Sequence, residues 1–223
     1  MKSFTFQLVL SCALLAAMTA SIQSSSEAPS STKSTTVFDE RGVIVDVNSF
    51  FTAATRDSQA GKMAVANESV AGKALVTEDG VYGFLETPDN EKMLAATSNG
   101  SVVQIVGKLL KEAALLHVDA LESKTQVPLI DFARFRNDTG IEVELEGMNK
   151  CQCGLDVGDL PHSCKLGHLH HLEAADGQIY HYLQFARGQD FFLGVESHSK
   201  PVSVKARLLP GHYLLVSAAE VGE

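Results

Sequence analysis

Hydrophobic and polar residues alternate in two stretches of this chain, which follow the same plan and are displaced by 97 to 99 residues. The first stretch opens with GVIVDVN at Gly42 and the second with GIEVELE at Gly140. A period of two residues is typical of half-buried β-strands. In both stretches two apolar segments then flank an Asp-Gly pair, at 79–80 and 176–177. This predicts a tight β-hairpin, because both residues tolerate positive φ.

Each stretch continues with a short helical or irregular segment and then two closing strands. The helical segment is expected over 89–96 in the first stretch and over 189–195 in the second. The closing strands are expected over 102–110 and 114–118, and over 202–209 and 213–216. Because four successive blocks keep their order and a nearly constant displacement, the sequence predicts a tandem duplication.

Each repeated unit has about 80 residues, four to five strands, and a short helix between the third and fourth strands. This order predicts a mainly β fold of two small, five-stranded, partly open barrels of the oligonucleotide/oligosaccharide-binding (OB) type, with two-sheet sandwiches as the alternative. The expected segments are a signal peptide at 1–21, a Ser/Thr-rich flexible spacer at 22–36, a first OB-like domain without metal ligands at 37–122, a connector at 123–139, and a second OB-like domain with a Cys/His site at 140–223. In the connector, Phe132 and Phe135 are expected to pack at the junction of the barrels.

An N-terminal export signal is predicted from Lys2, from the apolar run that follows it, and from the small residues at 19–21. The run is short and broken by Ser and Thr, so we expect cleavage near Ala20 and no stable membrane insertion afterwards. The mature protein is then periplasmic or secreted. Lipidation of Cys12 is the less favoured alternative, since the apolar run continues beyond this cysteine.

The composition argues against several classes of partner. The formal charge is −9 and the pI is about 5.3, with no run rich in Lys or Arg. Such a surface repels a phosphate backbone, so we expect no nucleic-acid partner. Trp is absent, which removes a Trp-based platform for carbohydrates. The motifs of serine hydrolases, zinc proteases, P-loop proteins and dinucleotide-binding folds are also absent, so the sequence makes no positive case for an enzyme.

The strongest chemical signal is a cluster of thiols and imidazoles within 21 residues of the second unit. The predicted metal ligands are Cys151, Cys153, Cys164 and His168, with His171 competing with His168 for the fourth position and His170 and His162 as weaker candidates. Three thiolates and one imidazole form a complete tetrahedral set, which fits zinc. Copper as Cu(I) is the alternative, because it also favours thiolates.

The cluster belongs to one copy of the repeat. Aligning the two units places Cys151 and Cys153 opposite about Ala53 and Thr55, and Cys164 and His168 opposite residues near 66 and 71. A group that core packing requires would recur in both copies, so the site is a separate property added to a common scaffold. We expect the metal to join the first strand of the unit to the second, in a structural role or in metal handling.

Two other functions remain open. Signal cleavage leaves three cysteines, and an oxidising compartment favours one disulfide, Cys164 with Cys151 or Cys153, beside a spare thiol. The protein would then be a non-enzymatic extracytoplasmic interaction module with a protein or glycan partner. The third hypothesis is a zinc-dependent hydrolase with three protein ligands, one open position, and Glu173 as the base.

The remaining histidines have simpler interpretations. His181 lies between Tyr180 and Tyr182 in a predicted strand, so alternation places it on the face opposite to the two tyrosines. The other three, His117, His198 and His212, are isolated and are interpreted as surface or turn residues.

The second unit resembles a group of exported bacterial OB-like domains of unassigned function. The resemblance rests on the C-x-C loop at 151–153, the turn from Cys164 to His168, the hairpin from Asp176 to Tyr180, and the closing strand at 202–206. The chain departs from that group in the C-x-C spacing and at Ala206, where a glycine is expected and where the first unit has Gly107. The resemblance implies metal binding outside the cytoplasm and implies no enzyme activity.

Overall fold

A computed structural model describes residues 33–51, 72–160, 170–183 and 197–223. These residues belong to one compact unit, Thr32–Glu223. The predicted signal peptide with Cys12, most of the predicted spacer, and the helical segment expected over 189–195 lie outside the described residues, as do Cys164 and His168. Within the described ranges, no helix is long and apolar enough to cross a membrane.

The first part of the chain forms a closed five-stranded β-barrel. Its strands are β1 (Thr35–Asp46), β2 (Lys73–Val76), β3 (Val81–Phe84), β4 (Val102–Leu110) and β5 (Leu115–Ser123). Their order around the barrel is β1-β2-β3-β5-β4, and only β3 and β5 are parallel. Helix α1 (Val47–Phe50) follows β1, helix α2 (Pro88–Leu94) joins β3 to β4, and a 3₁₀ turn (Lys111–Ala113) joins β4 to β5.

The second part repeats this plan after helix α3 (Phe132–Arg136) in the connector. Its strands are β6 (Ile141–Cys151), β7 (His170–Ala174), β8 (Ile179–Tyr182), β9 (Lys200–Leu209) and β10 (Tyr213–Val221). They close in the order β6-β7-β8-β10-β9, again with one parallel pair, β8 and β10. Two 3₁₀ turns follow β6 (Gln152–Gly154) and β9 (Pro210–His212). The predicted mainly β fold of two OB-like barrels in tandem is confirmed, and both barrels are closed.

The strand registers superimpose the two barrels residue by residue and correct one part of the predicted alignment. Val43 pairs with Val76 and Val102, and Met148 pairs with Glu173 and Pro201 at the same place in the second barrel. Gly42 therefore corresponds to Gly147. The alternation aligned Gly42 with Gly140, which is wrong by seven residues. The reason is that β1 already begins at Thr35, in a polar segment that shows no apolar alternation.

Two local features recur in both barrels. A methyl group on Gly42 would lie 2.6 Å from the carbonyl oxygen of Val76, and one on Gly147 would collide with that of Glu173. A glycine is required at both positions because the next strand approaches so closely. The last strand of each barrel also carries one extra residue, Asp119 in β5 and Ser217 in β10. Such a β-bulge bends the strand and assists closure.

Each barrel has its own apolar interior, and two further clusters join the barrels. The interiors consist of Phe38, Ile44, Leu75, Phe84, Leu94, Val103, Ile105, Leu116 and Val118 in the first barrel, and of Leu172, Tyr182, Val202, Val204, Ala206 and Leu214 in the second. The first junction cluster combines residues of β1, β2 and β3 with Leu183, Leu209, Tyr213, Leu215 and Phe135, and Phe132 packs against it. The second junction cluster combines Leu85, Leu110, Ala113 and Leu115 with Leu155, Val157, Leu160 and Ile179. The expected packing of Phe132 and Phe135 at the junction is confirmed.

Helix α2 confirms the helix expected in the first unit. It begins at Pro88 because the Thr87 hydroxyl accepts a hydrogen bond from the Asn90 N–H at 3.1 Å, and proline is tolerated at the first helical position. The buried Asn90 side chain donates to the carbonyl groups of Leu85 and Leu116. These bonds hold the helix against β5.

Candidate metal centre at the barrel junction

Three of the predicted ligands lie among the described residues. Cys151 is the last residue of β6, Cys153 lies in the 3₁₀ turn that follows, and His171 lies on β7. Cys164 and His168 lie outside the described residues, so the structure does not place the whole predicted set. The described residues alone bring together no group of three or more His, Cys, Asp or Glu side chains that could hold a metal ion.

Cys151 and Cys153 form a disulfide, with their Cα atoms 5.5 Å apart. Cys151 is buried and Cys153 is half-buried. The disulfide hypothesis from the sequence joined Cys164 to one of these two residues, whereas the structure joins the two cysteines of the C-x-C pair. Metal binding uses the thiolate form of cysteine, so Cys151 and Cys153 become available as ligands only after this bond is reduced.

His171 on β7 and His181 on β8 lie directly opposite each other in the sheet. Both are buried, with 6% and 5% of their surfaces exposed. Their Nδ1 atoms are 2.9 Å apart, and the Nε2 atom of His181 lies 2.5 Å from the carbonyl oxygen of Ala113, in the 3₁₀ turn of the first barrel. The two rings therefore form a hydrogen-bonded chain that begins in one barrel and ends in the other. Tyr182 belongs to the barrel interior and Tyr180 packs against it, so the predicted opposite orientation of His181 is confirmed.

These two hydrogen bonds determine where the protons of the histidine pair lie. A carbonyl oxygen only accepts, so the Nε2 atom of His181 donates to Ala113 and carries the proton. The Nδ1 atom of a neutral ring protonated in this way is an acceptor. The Nδ1 atom of His171 must then donate to it, which leaves the Nε2 atom of His171 with a bare lone pair.

Burial keeps both rings neutral, as this assignment requires. Burial lowers the pKa of His171 well below its usual range, and the neighbouring His181 and His170 lower it further. Burial also lowers the pKa of His181 to about 4, although the hydrogen bond to Ala113 opposes this shift. Near pH 7 the pair therefore carries two ring protons and no charge.

The Nε2 atom of His171 is buried and has no hydrogen-bond partner among the described residues. Leaving such an atom unpaired costs about 1–3 kcal/mol, so a buried lone pair is expected to have a partner. His171 lines a cavity of about 30 Å³ between the barrels. Other residues that line this cavity are Gly83, Leu115, Gln152, His170, His181 and Tyr213.

Gln152, between the two cysteines, fixes the C-x-C turn to the first barrel. Its Oε1 atom accepts a hydrogen bond from the Glu86 N–H at 2.8 Å, and its Nε2 atom donates to the Glu86 carbonyl at 2.9 Å. Gln152 also lines the cavity beside His171. The cysteine turn and the histidine pair are thus held at the same junction, which the sequence did not reveal.

A second pair of histidines lies at the start of β7. His170 is directly opposite Cys151 in the sheet, and its Nε2 atom lies 2.9 Å from the Nδ1 atom of His198. The interpretation of His198 as an isolated residue is therefore wrong. The buried Asn149 donates hydrogen bonds to the carbonyl and hydroxyl oxygens of Ser197. These bonds hold the segment that contains His198 over the start of β7.

Glu173 is engaged in two ion pairs. Its carboxylate lies 2.7 Å from the Lys33 Nζ atom and 2.6 Å from the Lys150 Nζ atom. Burial alone would raise the pKa of Glu173, but the hydrogen bonds and charges of Lys150 and Lys33 lower it overall. A carboxylate held in this way is a weak proton acceptor, which counts against the role of Glu173 as a hydrolytic base.

The first barrel lacks these thiol and imidazole groups at the equivalent positions. The strand registers place Asp46 at the position of Cys151, Ala74 at that of His171, and Gly83 at that of His181. Beyond the paired strands, Asn48 follows Asp46 by two residues, as Cys153 follows Cys151. These assignments replace Ala53 and Thr55. The sequence did not include His181 among the predicted ligands, although the contrast between Gly83 and His181 within the repeat was a signal that could have drawn attention to it.

Comparison of the chain with protein-family models, with curated proteins and with solved structures gives no match.

Proposed function

We propose that this is an exported metal-binding protein with a Cys/His site in its second barrel, for which zinc is the preferred ion and copper the alternative. The observation that carries the proposal is the Nε2 atom of His171, a buried lone pair without a partner among the described residues. Histidines that bind metals typically donate their other ring N–H to a fixed acceptor. The Nδ1 atom of His171 makes such a bond to His181.

The proposed donors are the thiolates of Cys151, Cys153 and Cys164 together with one imidazole, for which His168 and His171 compete. Three thiolates and one imidazole would form a closed site of the kind that stabilises a fold. Bound zinc would join the end of β6 to the start of β7. The ion can be retained for this structural role or passed on in metal handling.

The disulfide between Cys151 and Cys153 makes the proposed site dependent on reduction. A dithiol reductant would convert this bond into two thiols and become a disulfide itself. Zinc binding would then release the thiol protons into solution. The reduced protein is therefore the form expected to bind the ion.

The test is metal content by mass spectrometry together with a thiol count under denaturing chelation, on the mature protein from its native compartment and after reduction without oxygen. We expect one equivalent of zinc or copper and three titratable thiols in the reduced protein. His171→Ala should weaken zinc affinity by more than about 100-fold, beyond the effect typical of residues that only support a ligand. His117→Ala, in the first barrel, is the control. A reduced, folded protein without metal would refute the proposal.

The disulfide also favours a second function. If the oxidised protein from its native compartment contains no metal and one titratable thiol, and the reduced protein does not take up zinc, we infer a non-enzymatic interaction module. The disulfide would then fix the turn that Gln152 attaches to the first barrel.

A further inference from the structure

We propose that His181 is a positioning residue for the metal site, and that the first barrel controls this site through the carbonyl group of Ala113. This inference rests on the proposed metal function.

The Ala113 carbonyl has a fixed position because its turn is packed on several sides. Ala113 and Leu115 are buried in the second junction cluster against Leu155 and Ile179 of the second barrel. The turn ends at Ala114, which adopts a left-handed conformation and returns its N–H to the carbonyl of Lys111. The acceptor therefore reaches His181 from a rigid part of the first barrel.

That single acceptor sets the direction of the whole hydrogen-bonded chain. With the proton of His181 on Nε2, the Nδ1 atom of His171 donates and its Nε2 atom is free to bind an ion. Without the Ala113 carbonyl, His181 could carry its proton on Nδ1 and donate to His171. The Nε2 atom of His171 would then hold a proton and could not bind a metal.

The first barrel shows that the fold does not require this pair. Ala74 and Gly83 occupy the equivalent opposed positions. A methyl group on Gly83 would lie 3.0 Å from the Tyr213 hydroxyl, so this position makes room for the other barrel instead of bonding to it. The histidine pair is thus a specific property of the second barrel.

The test uses two amide substitutions, His181→Asn and His181→Gln, each of which preserves one of the two hydrogen bonds that His181 makes. The asparagine amide reaches about as far as Nδ1 and retains an acceptor for His171, whereas the glutamine amide reaches about as far as Nε2 and retains a donor to Ala113. His117→Gln, on β5 of the first barrel, is the matched control.

We expect His181→Gln to weaken zinc affinity of the reduced full-length mature protein by about 10–100-fold, the range found for residues that orient metal ligands. His181→Asn keeps an acceptor for His171 but loses the bond to Ala113 that fixes it, so we expect a smaller loss of about 3–10-fold, and an unchanged affinity would refute control by Ala113. His117→Gln should stay within about threefold of the unmodified protein. Thermal unfolding and circular dichroism of the metal-free variants show which of them remain folded. In metal-free protein, ¹⁵N NMR should find the proton of His171 on Nδ1 and that of His181 on Nε2.

The outcomes separate the two proposals. If the unmodified protein binds zinc and folded His181→Gln binds it equally well, the positioning role is refuted while metal binding stands. Protons on the Nε2 atom of His171 and the Nδ1 atom of His181 in the metal-free protein would also refute it. If the reduced, unmodified protein binds no zinc, both proposals fail.

Discussion

The two barrels share strand order, closure, the glycine of the first strand and the bulge of the last, yet they differ at the positions that face the junction. The first barrel has Ala74 and Gly83 where the second has His171 and His181. The same backbone therefore accepts either small residues or a pair of imidazoles. The shared fold therefore provides the same backbone positions in both barrels. A few substitutions at one face determine which chemical groups those positions carry.

Polar contacts cross the junction from both barrels, since Lys108 on β4 also pairs with Asp159. From the second barrel, His181 and Gln152 form hydrogen bonds to backbone groups of Ala113 and Glu86 in the first. From the first barrel, Gly83 leaves room for the Tyr213 hydroxyl. Three comparisons of matched substitutions, from the largest expected effect to the smallest, test how far the two barrels differ.

The largest effect is expected where the barrels differ beside the bulge. A methyl group on Gly107 would collide with the backbone carbonyl of His117, whereas its equivalent Ala206 already carries a methyl group in the barrel interior. We expect Gly107→Ala to lower the free energy of unfolding by about 3 kcal/mol. Ala206→Gly should lower it by about 1 kcal/mol. Urea unfolding measures both values, and equal costs would show that the two barrels close in the same way.

An intermediate effect is expected from the bonds that cross the junction. Gln152→Ala removes both hydrogen bonds to the Glu86 backbone and should lower the free energy of unfolding by about 2 kcal/mol. The control is Gln104→Ala, whose amide donates to Asp39 on the exposed face of the first barrel and should cost less than about 0.5 kcal/mol. If the two costs are alike in urea unfolding, the junction does not depend on Gln152.

The smallest effect concerns the ion pairs of the second barrel, which has Glu173 where the first has Val76. Glu173→Gln should lower the free energy of unfolding by about 1 kcal/mol, because Lys33 and Lys150 lose a shared and largely buried partner. Glu144→Gln, in an exposed pair with Lys205, should cost less than about 0.5 kcal/mol. Unfolding in urea at low and high salt checks this order. A larger cost for Glu144→Gln would contradict it.

Most of the fold could be predicted from the sequence because its signals are local. The Asp-Gly hairpins, the period-two strands and helix α2 all depend on residues close together in the chain. The alignment failed at the first strand, since the polar start of β1 carries no apolar alternation and hides the correspondence of Gly42 with Gly147.

Less of the candidate site could be predicted. The sequence identified His171 and the cysteines as candidate ligands, because thiols and imidazoles were concentrated in one segment. It did not indicate the disulfide between Cys151 and Cys153, since alternatives with Cys164 fitted the spacing equally well. It also missed the contact between His181 and Ala113, which are 68 residues apart and meet only when the barrels pack together.

The two junction clusters have a consequence for the order of synthesis. The last strand of the first barrel ends at Ser123, and β10 ends at Val221, 98 residues later. At typical rates of translation this interval lasts about 5 to 20 s. During that time the apolar face that includes Leu85 and Leu115 has no second barrel to cover it. A nascent first barrel therefore exposes an apolar face, which favours aggregation until the second barrel covers it.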